Sequence, residues 1–200
     1  MSSHLKLIPT DRSSVELPDR SDDELMLLAS AGRSDAFAVL AGRHLQGLAS
    51  FCGKYLGSAQ LGEEQAQETL VQVWVQRSRY RASGRFPSFL YTIAQNLCRN
   101  QSRHMKRRSA WLELAARPAV PSASPEVLEA LLETERTRRV HHAMTLLTDK
   151  LKEAVLLRFD RGLDYATIAD ILGCPEETAR SRVFHGLKKL RADLLPEELT

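Results

Sequence analysis

The sequence predicts an all-α protein: two small helical domains joined by a flexible linker, the C-terminal one a helix-turn-helix. Three observations predict it. Apolar residues recur at helical spacing along most of the chain, with no sustained period-two alternation and no hairpin dipeptide between β-branched runs. The segment Arg117-Pro118-Ala119-Val120-Pro121-Ser122-Ala123-Ser124-Pro125 holds three prolines among small residues, the composition of an extended tether. Near the C-terminus, Gly173-Cys174-Pro175 separates two amphipathic stretches. Two hundred residues, 43% of them hydrophobic, suffice for two small cores. The expected division is a flexible N-terminal tail over 1–20, a first domain over 21–108, a linker over 109–129 and a second domain over 130–200.

In chain order, Ser21 followed by Asp22, Asp23 and Glu24 predicts an N-cap with acids in the first turn, and a helix over about 22–31. A longer helix over about 35–56 places Phe37, Ala41, Leu45, Leu48, Cys52 and Tyr55 on one face. Its glycines, Gly42, Gly47 and Gly53, weaken it by up to about 1 kcal/mol each relative to Ala, which packing must offset. A helix over about 62–77 has Glu63 and Glu64 in its first turn and directs Ala66, Leu70, Val73 and Trp74 inward. A fourth, over about 86–106, puts Phe86, Leu90, Ile93 and Leu97 on one face, with Thr92, Asn96, Arg99, Asn100 and Arg103 opposite.

The formal net charge is only +3, but the charges are segregated. Residues 1–76 carry 6 bases and 10 acids, residues 77–108 carry 9 bases and no acid, and residues 109–133 carry one base and four acids. A 32-residue stretch without a carboxylate is a candidate polyanion-binding segment. Tyr80, Phe86, Phe89 and Tyr91 lie within it. Cations interleaved with rings suit single-stranded nucleic acid, although a solvated basic face over core aromatics has the same composition.

Other classes are excluded or disfavoured. No apolar run approaches a membrane-spanning length, and the first residues lack the apolar core of a secretory leader. Cys52, Cys98 and Cys174 are widely spaced, so a cytoplasmic protein without disulfides or a zinc cluster is expected. Cys52 and Cys98 fall on or near core faces. No catalytic residues, metal or cofactor are expected, because the most basic segment has no carboxylates and His141-His142 has no ligand partner at helical spacing.

In the second domain, a helix through Leu151, Ala154, Val155 and Arg158 ends at Asp160-Arg161-Gly162. Tyr165, Ile168, Ala169 and Leu172 share the next helix face, and Gly173 follows where a left-handed residue is expected. Pro175, Glu176 and Glu177 open a last helix that buries Ala179, Val183, Leu187, Leu190 and Leu194. Such a second helix enters a major groove N-terminus first, and Glu177, Arg180, Ser181, His185 and Lys188 point outward. Arg180 can meet guanine bidentately.

The run from Leu163 to Val183, LDYATIADILGCPEETARSRV, closely resembles region four of extracytoplasmic-function (ECF) RNA polymerase sigma factors. Independently, Gln67-Glu68-Thr69-Leu70-Val71-Gln72-Val73-Trp74 is similar to the core-polymerase-binding helix of region two. Phe86-Pro87-Ser88-Phe89-Leu90-Tyr91-Thr92-Ile93-Ala94-Gln95-Asn96 is similar to its promoter-melting segment. The resemblance spans about 22–108 and 130–195. It implies a non-enzymatic initiation factor that binds bacterial core RNA polymerase and promoter DNA, both duplex and melted strand. Control by an anti-sigma partner, without membrane insertion, is also implied.

By that resemblance, Gln67, Glu68 and Gln72 dock on the polymerase. Minus-ten recognition and melting fall to Arg81, Arg85, Phe86, Phe89, Tyr91, Asn96, Arg99, Asn100, Arg103, Lys106 and Arg107. Minus-thirty-five recognition falls to Glu177, Thr178, Arg180, Ser181, Arg182, His185 and Lys188. Trp111 and the linker would thread near the polymerase channels. The chain departs from the family pattern at Phe89, where Trp is usual, at Asn100, where Asp is usual, and at His185-Gly186, where Arg-Ala is usual. His185 adds charge only below about pH 6.5. A two-domain regulator shares the helix-turn-helix but does not account for an acid-free 77–108.

Overall fold

The computed structural model describes residues 17–115 and 139–194, with side chains over 17–108 and 139–194. Most of the tail, the Pro-rich segment and the Trp111 side chain therefore lie outside the described residues. Within them the chain is helical in two groups.

The first group holds α1 (Asp22–Ser30), α2 (Ser34–Leu56), α3 (Ala59–Val75) and α4 (Phe86–Ala115). Ser21 caps α1 as expected: its hydroxyl accepts from the Glu24 amide while Glu24 reaches back to the Ser21 amide, a complete capping box. Residues 17–20 are not loose, because Leu17 packs on the core and the Pro18 carbonyl accepts from Arg43. The buried face of α2 is Ala36, Leu40, Leu48, Phe51, Cys52 and Tyr55, and Leu45 is exposed instead of facing the core. Helix α3 begins three residues earlier than the sequence predicts. Ser58 caps it through the Leu61 amide, so Glu63 and Glu64 lie beyond the first turn.

Glycine sets the spacing of α2 and α3. A Cβ on Gly62 would lie 2.6 Å from the Gly53 Cα and 2.7 Å from the Ala49 carbonyl oxygen. The two backbones approach more closely than any side chain permits. The apparent weakness of Gly53 is therefore a packing requirement. Cys52 and Cys98 are both buried in this core, and proximity and burial push the Cys98 thiol far above its usual range.

Helix α4 runs to Ala115, into the stretch expected to be linker. The second group begins with a helix described over 139–145, α5. It continues with α6 (Asp149–Val155), whose last turn widens into a π-type turn over Leu156–Asp160. Then come α7 (Tyr165–Leu172) and α8 (Glu176–Leu194). Asp164 caps α7 by accepting from the Thr167 amide at 2.7 Å, which holds its carboxyl below the usual range. Gly173 adopts the left-handed conformation at φ 58°, and the Pro175 carbonyl starts the α8 ladder. The turn between α7 and α8 has the predicted three residues.

The buried face of α8 differs by one position from the expected one. Ala179 and Val183 are buried, but the next buried residue is Gly186, and Leu187 is 39% exposed. A Cβ on Gly186 would come within 2.5 Å of a Val155 methyl, so only glycine lets α8 lie this close to α6. That accounts for glycine where the resembling family usually has alanine.

Two glycines make opposite predictions. Gly62→Ala should lower stability by about 1–3 kcal/mol despite better helix propensity, because the contact it strikes is backbone. Gly42 has open space around it, so Gly42→Ala should raise stability by about 0.5–1 kcal/mol. Denaturant midpoints at constant m-value measure both.

Candidate nucleic-acid interface

Helix α4 sorts its side chains into three rows. Phe86, Leu90, Ala94 and Cys98 are buried against α2 and α3. Tyr91, Gln95 and Arg99, four apart, face the second domain. Asn96, Asn100, Arg103 and Arg107 form an exposed row without a carboxylate.

Two aromatic assignments need correction. Phe86 is 1% exposed, wedged against His44 and Tyr80, and Tyr91 is 4% exposed, edge-on to Phe51. Neither ring face is open to a base, because both serve as core. Phe89 is half-buried, tilted against Tyr80 with ring centroids 5.2 Å apart. It helps line a groove of about 420 Å³ between α3 and α4, with Gln72, Gln76, Ser88, Thr92 and Asn96. Phe89 is thus the one of the three that lines the groove between α3 and α4.

The loop before α4 is anchored by a residue that sequence reading passed over. The Asp23 carboxylate accepts from both the Tyr80 hydroxyl and the Gly84 amide. Burial and this carboxylate together push the Tyr80 phenol well above its usual range. The signal was present in the sequence, but Asp23 was explained there by the helix dipole alone. The anchored loop leaves Arg81 and Arg85 exposed.

Arg99 is a further correction. It is not on the free row: its guanidinium donates to both carboxylate oxygens of Glu153, each at 2.5 Å. Arg85 is exposed but pairs with Asp170 at 2.9 Å. Lys106, also exposed, lies 3.9 Å from Asp149. On α3, Gln67 and Glu68 are exposed, and Gln72 donates to Glu68 at 2.8 Å.

On α8, Glu177, Arg180, Ser181, His185 and Lys188 are exposed along one side. Arg180 is held by Glu176 at 3.0 Å and lies over the Tyr165 ring, 4.9 Å from its centroid. Thr178 and Arg182 are half-buried, and Arg182 turns back to the Cys174 sulfur at 3.4 Å. The outer side of α8 also exposes Phe184, 64% accessible, which with Leu187 lines a groove reaching Leu194. Helical spacing alone did not reveal this groove, because Leu187 was placed in the core.

No described helix is long and apolar enough to cross a membrane.

Two family models match the chain: Sigma-70 region 2 over residues 40–108 and Sigma-70, region 4, over residues 137–190. The chain is 31% identical over 166 residues to RNA polymerase sigma factor CarQ of Myxococcus xanthus, covering 83% of this chain and 92% of that protein. It is 26% identical over 187 residues to the ECF RNA polymerase sigma-E factor of Haemophilus influenzae, covering 88% and 96%. The solved structure of CnrH in complex with the cytosolic domain of CnrY shares the fold, with a TM-score of 0.66 at 24% identity over 86% of this chain and 96% of that one. With both regions matched in order and a relative of this identity spanning most of the chain, the protein belongs to the ECF subfamily of RNA polymerase sigma factors.

Proposed function

We propose that this chain binds bacterial core RNA polymerase through α3, reads a minus-thirty-five element with α8, and opens and holds the minus-ten element with α4. The working units are 21–108 and 130–200, joined by the tether 109–129, acting in the cytoplasm without a cofactor. The observation that carries this reading is the exposed row Asn96, Asn100, Arg103 and Arg107, which offers base-edge and phosphate partners with no acid beside them.

The geometry supports a mechanism of the following kind. Gln67 and Glu68 stand outward on α3 for a polymerase helix, while Val73 holds α3 in its own domain. Unstacking a base costs a few kcal/mol, and contact with one ring returns about 1–3 kcal/mol. The groove floored by Phe89 and edged by Asn96 is the place for that base. Phe89 offers a ring without the indole N–H of the more usual Trp, so stacking there carries no donor. Arg103, Lys106 and Arg107 meet phosphates, each contact adding about one to the salt slope. Arg180 and Ser181 read the upstream duplex, with Tyr165 and Glu176 fixing the Arg180 guanidinium before binding. CnrH was solved in complex with another protein's cytosolic domain. An anti-sigma partner seated across the two domains is the corresponding control for this chain.

Run-off transcription with purified core polymerase on a promoter library tests the function: the chain should confer a promoter-dependent product, and none with any core enzyme would refute it. Within that assay, Arg180→Ala should cost about 1–3 kcal/mol at one upstream base position and relax specificity there. Equal loss on specific and random DNA would instead assign Arg180 to phosphate.

A further inference from the structure

We propose that Asp23, on α1, is a positioning residue for the minus-ten site: it fixes the loop over 80–85 and, through Tyr80, the Phe89 ring, and so sets which base the groove between α3 and α4 accepts. The proposal rests on the function above for the identity of the ligand, but not for the anchor.

Helix α1 splints this loop at two points. Asp23 and Ser30 are seven residues apart, about two turns, so they lie on one face of α1. Ahead of the loop, the Ser30 hydroxyl donates to the Arg77 carbonyl at 2.7 Å. The Arg77 guanidinium in turn lies over the Trp74 ring, 4.1 Å from its centroid. Within the loop, one Asp23 carboxylate oxygen accepts from the Tyr80 hydroxyl and the other from the Gly84 amide.

Little else defines the loop. Residues 81–85 are all exposed and outside regular structure. Among the described residues, Gly84 has the only backbone amide of 81–84 that donates to another protein group. Gly84 also turns the chain through the left-handed region, at φ 70°. Water would serve an exposed amide nearly as well as Asp23 does, so this bond adds little to stability. What it does is select one loop conformation from many.

The anchor reaches the groove through ring contacts. Tyr80 is 6% exposed, edge-on to Phe86 with centroids 5.9 Å apart and tilted against Phe89 at 5.2 Å. Holding the hydroxyl of Tyr80 therefore fixes the surface against which Phe89 rests. Phe89 shares its groove with Gln72, Gln76, Thr92 and Asn96. Stacking on a ring tolerates any base, so discrimination falls to these four polar side chains. They meet a base edge only at hydrogen-bond distance, and the ring sets how the base lies among them. A displacement of ~1 Å is enough to break such a match. Asp23 itself is half-buried with both oxygens engaged, so it acts through Tyr80 and the loop and not by touching the base.

Full-length variants test this: Asp23→Ala, Asp23→Asn, Tyr80→Phe and the double variant Asp23→Ala with Tyr80→Phe. Asp22→Ala is the control, because Asp22 shares the first turn of α1 but pairs with Arg43 and His44. Hydrogen exchange without polymerase reads the anchor. The Gly84 amide should exchange roughly tenfold or more faster in Asp23→Ala than in wild type or Asp22→Ala. Run-off transcription with core polymerase, on promoters carrying each base at each minus-ten position, reads the preference. Wild type should discriminate among bases at one position, and Asp23→Ala should narrow that spread by about tenfold, the worth of a hydrogen bond to a charged group. Its affinity for core polymerase should not change. Asp23→Asn keeps an acceptor oxygen and should recover part of the spread. Tyr80→Phe should act in the same direction, and the double variant should be no worse than Asp23→Ala, because both changes remove one bond. An equal loss for all bases in Asp23→Ala, the same narrowing in Asp22→Ala, or unchanged exchange at Gly84 overturns the proposal. Absence of any promoter-dependent product with wild type refutes the proposed function instead, while exchange at Gly84 still decides the anchor.

Discussion

Helix α4 presents three rows of side chains to three environments, and the rest of the molecule is arranged around that division. One row, Phe86, Leu90, Ala94 and Cys98, is the core of the first domain. A second, Tyr91, Gln95 and Arg99, meets the other domain. The third, Asn96, Asn100, Arg103 and Arg107, faces solvent. A shift of one residue along α4 would turn Arg99 into the core position of Cys98 and bring Asn100 toward Glu153. The tight α2–α3 crossing at Gly53 and Gly62 and the loop anchor at Asp23 both serve to hold α4 in register.

The same division explains the charge pattern. An acid anywhere on residues 77–108 would weaken contact with a strand, and it would also repel Asp149, Glu153 and Asp170. Nucleic acid and the second domain therefore select the same composition. The small net charge of +3 hides two complementary surfaces within one chain. The rows proposed to meet bases on α4 and α8 differ in their surroundings. The α8 face is exposed, while Arg85 and Arg99 are engaged by Asp170 and Glu153.

Much of this was legible in the sequence where local chemistry dictates the backbone. Ser21 and Gly173 each announce a helix end by a mechanism that needs no tertiary partner, and both ends fall where expected. The outward row of α8 was likewise legible from spacing. What periodicity cannot separate is a core face from an interdomain face, since both are buried. Tyr91 and Arg99, given to DNA by the family resemblance, instead meet Arg161 and Glu153 of the second domain. Nor does hydrophobicity report close backbone approach. Leu187 ranks above Gly186 on any apolar scale, yet α6 admits only the glycine. Leu45 failed for the related reason that the true stripe of α2 passes through Leu40, Leu48 and Phe51. The start of α3 was misplaced because a pair of glutamates outweighed the weaker-looking cap at Ser58.

The central claim is that one chain places two distinct readers on two segments of one promoter. Photocrosslinking from residues 100 and 181, in a complex of core polymerase, this chain and promoter DNA, tests it most directly. The account predicts that the residue-100 probe reaches the melted minus-ten strand, that the residue-181 probe reaches upstream duplex about 25 base pairs away, and that the first adduct requires polymerase. Adducts from both positions on the same duplex segment, or an equal residue-100 adduct without polymerase, would contradict it.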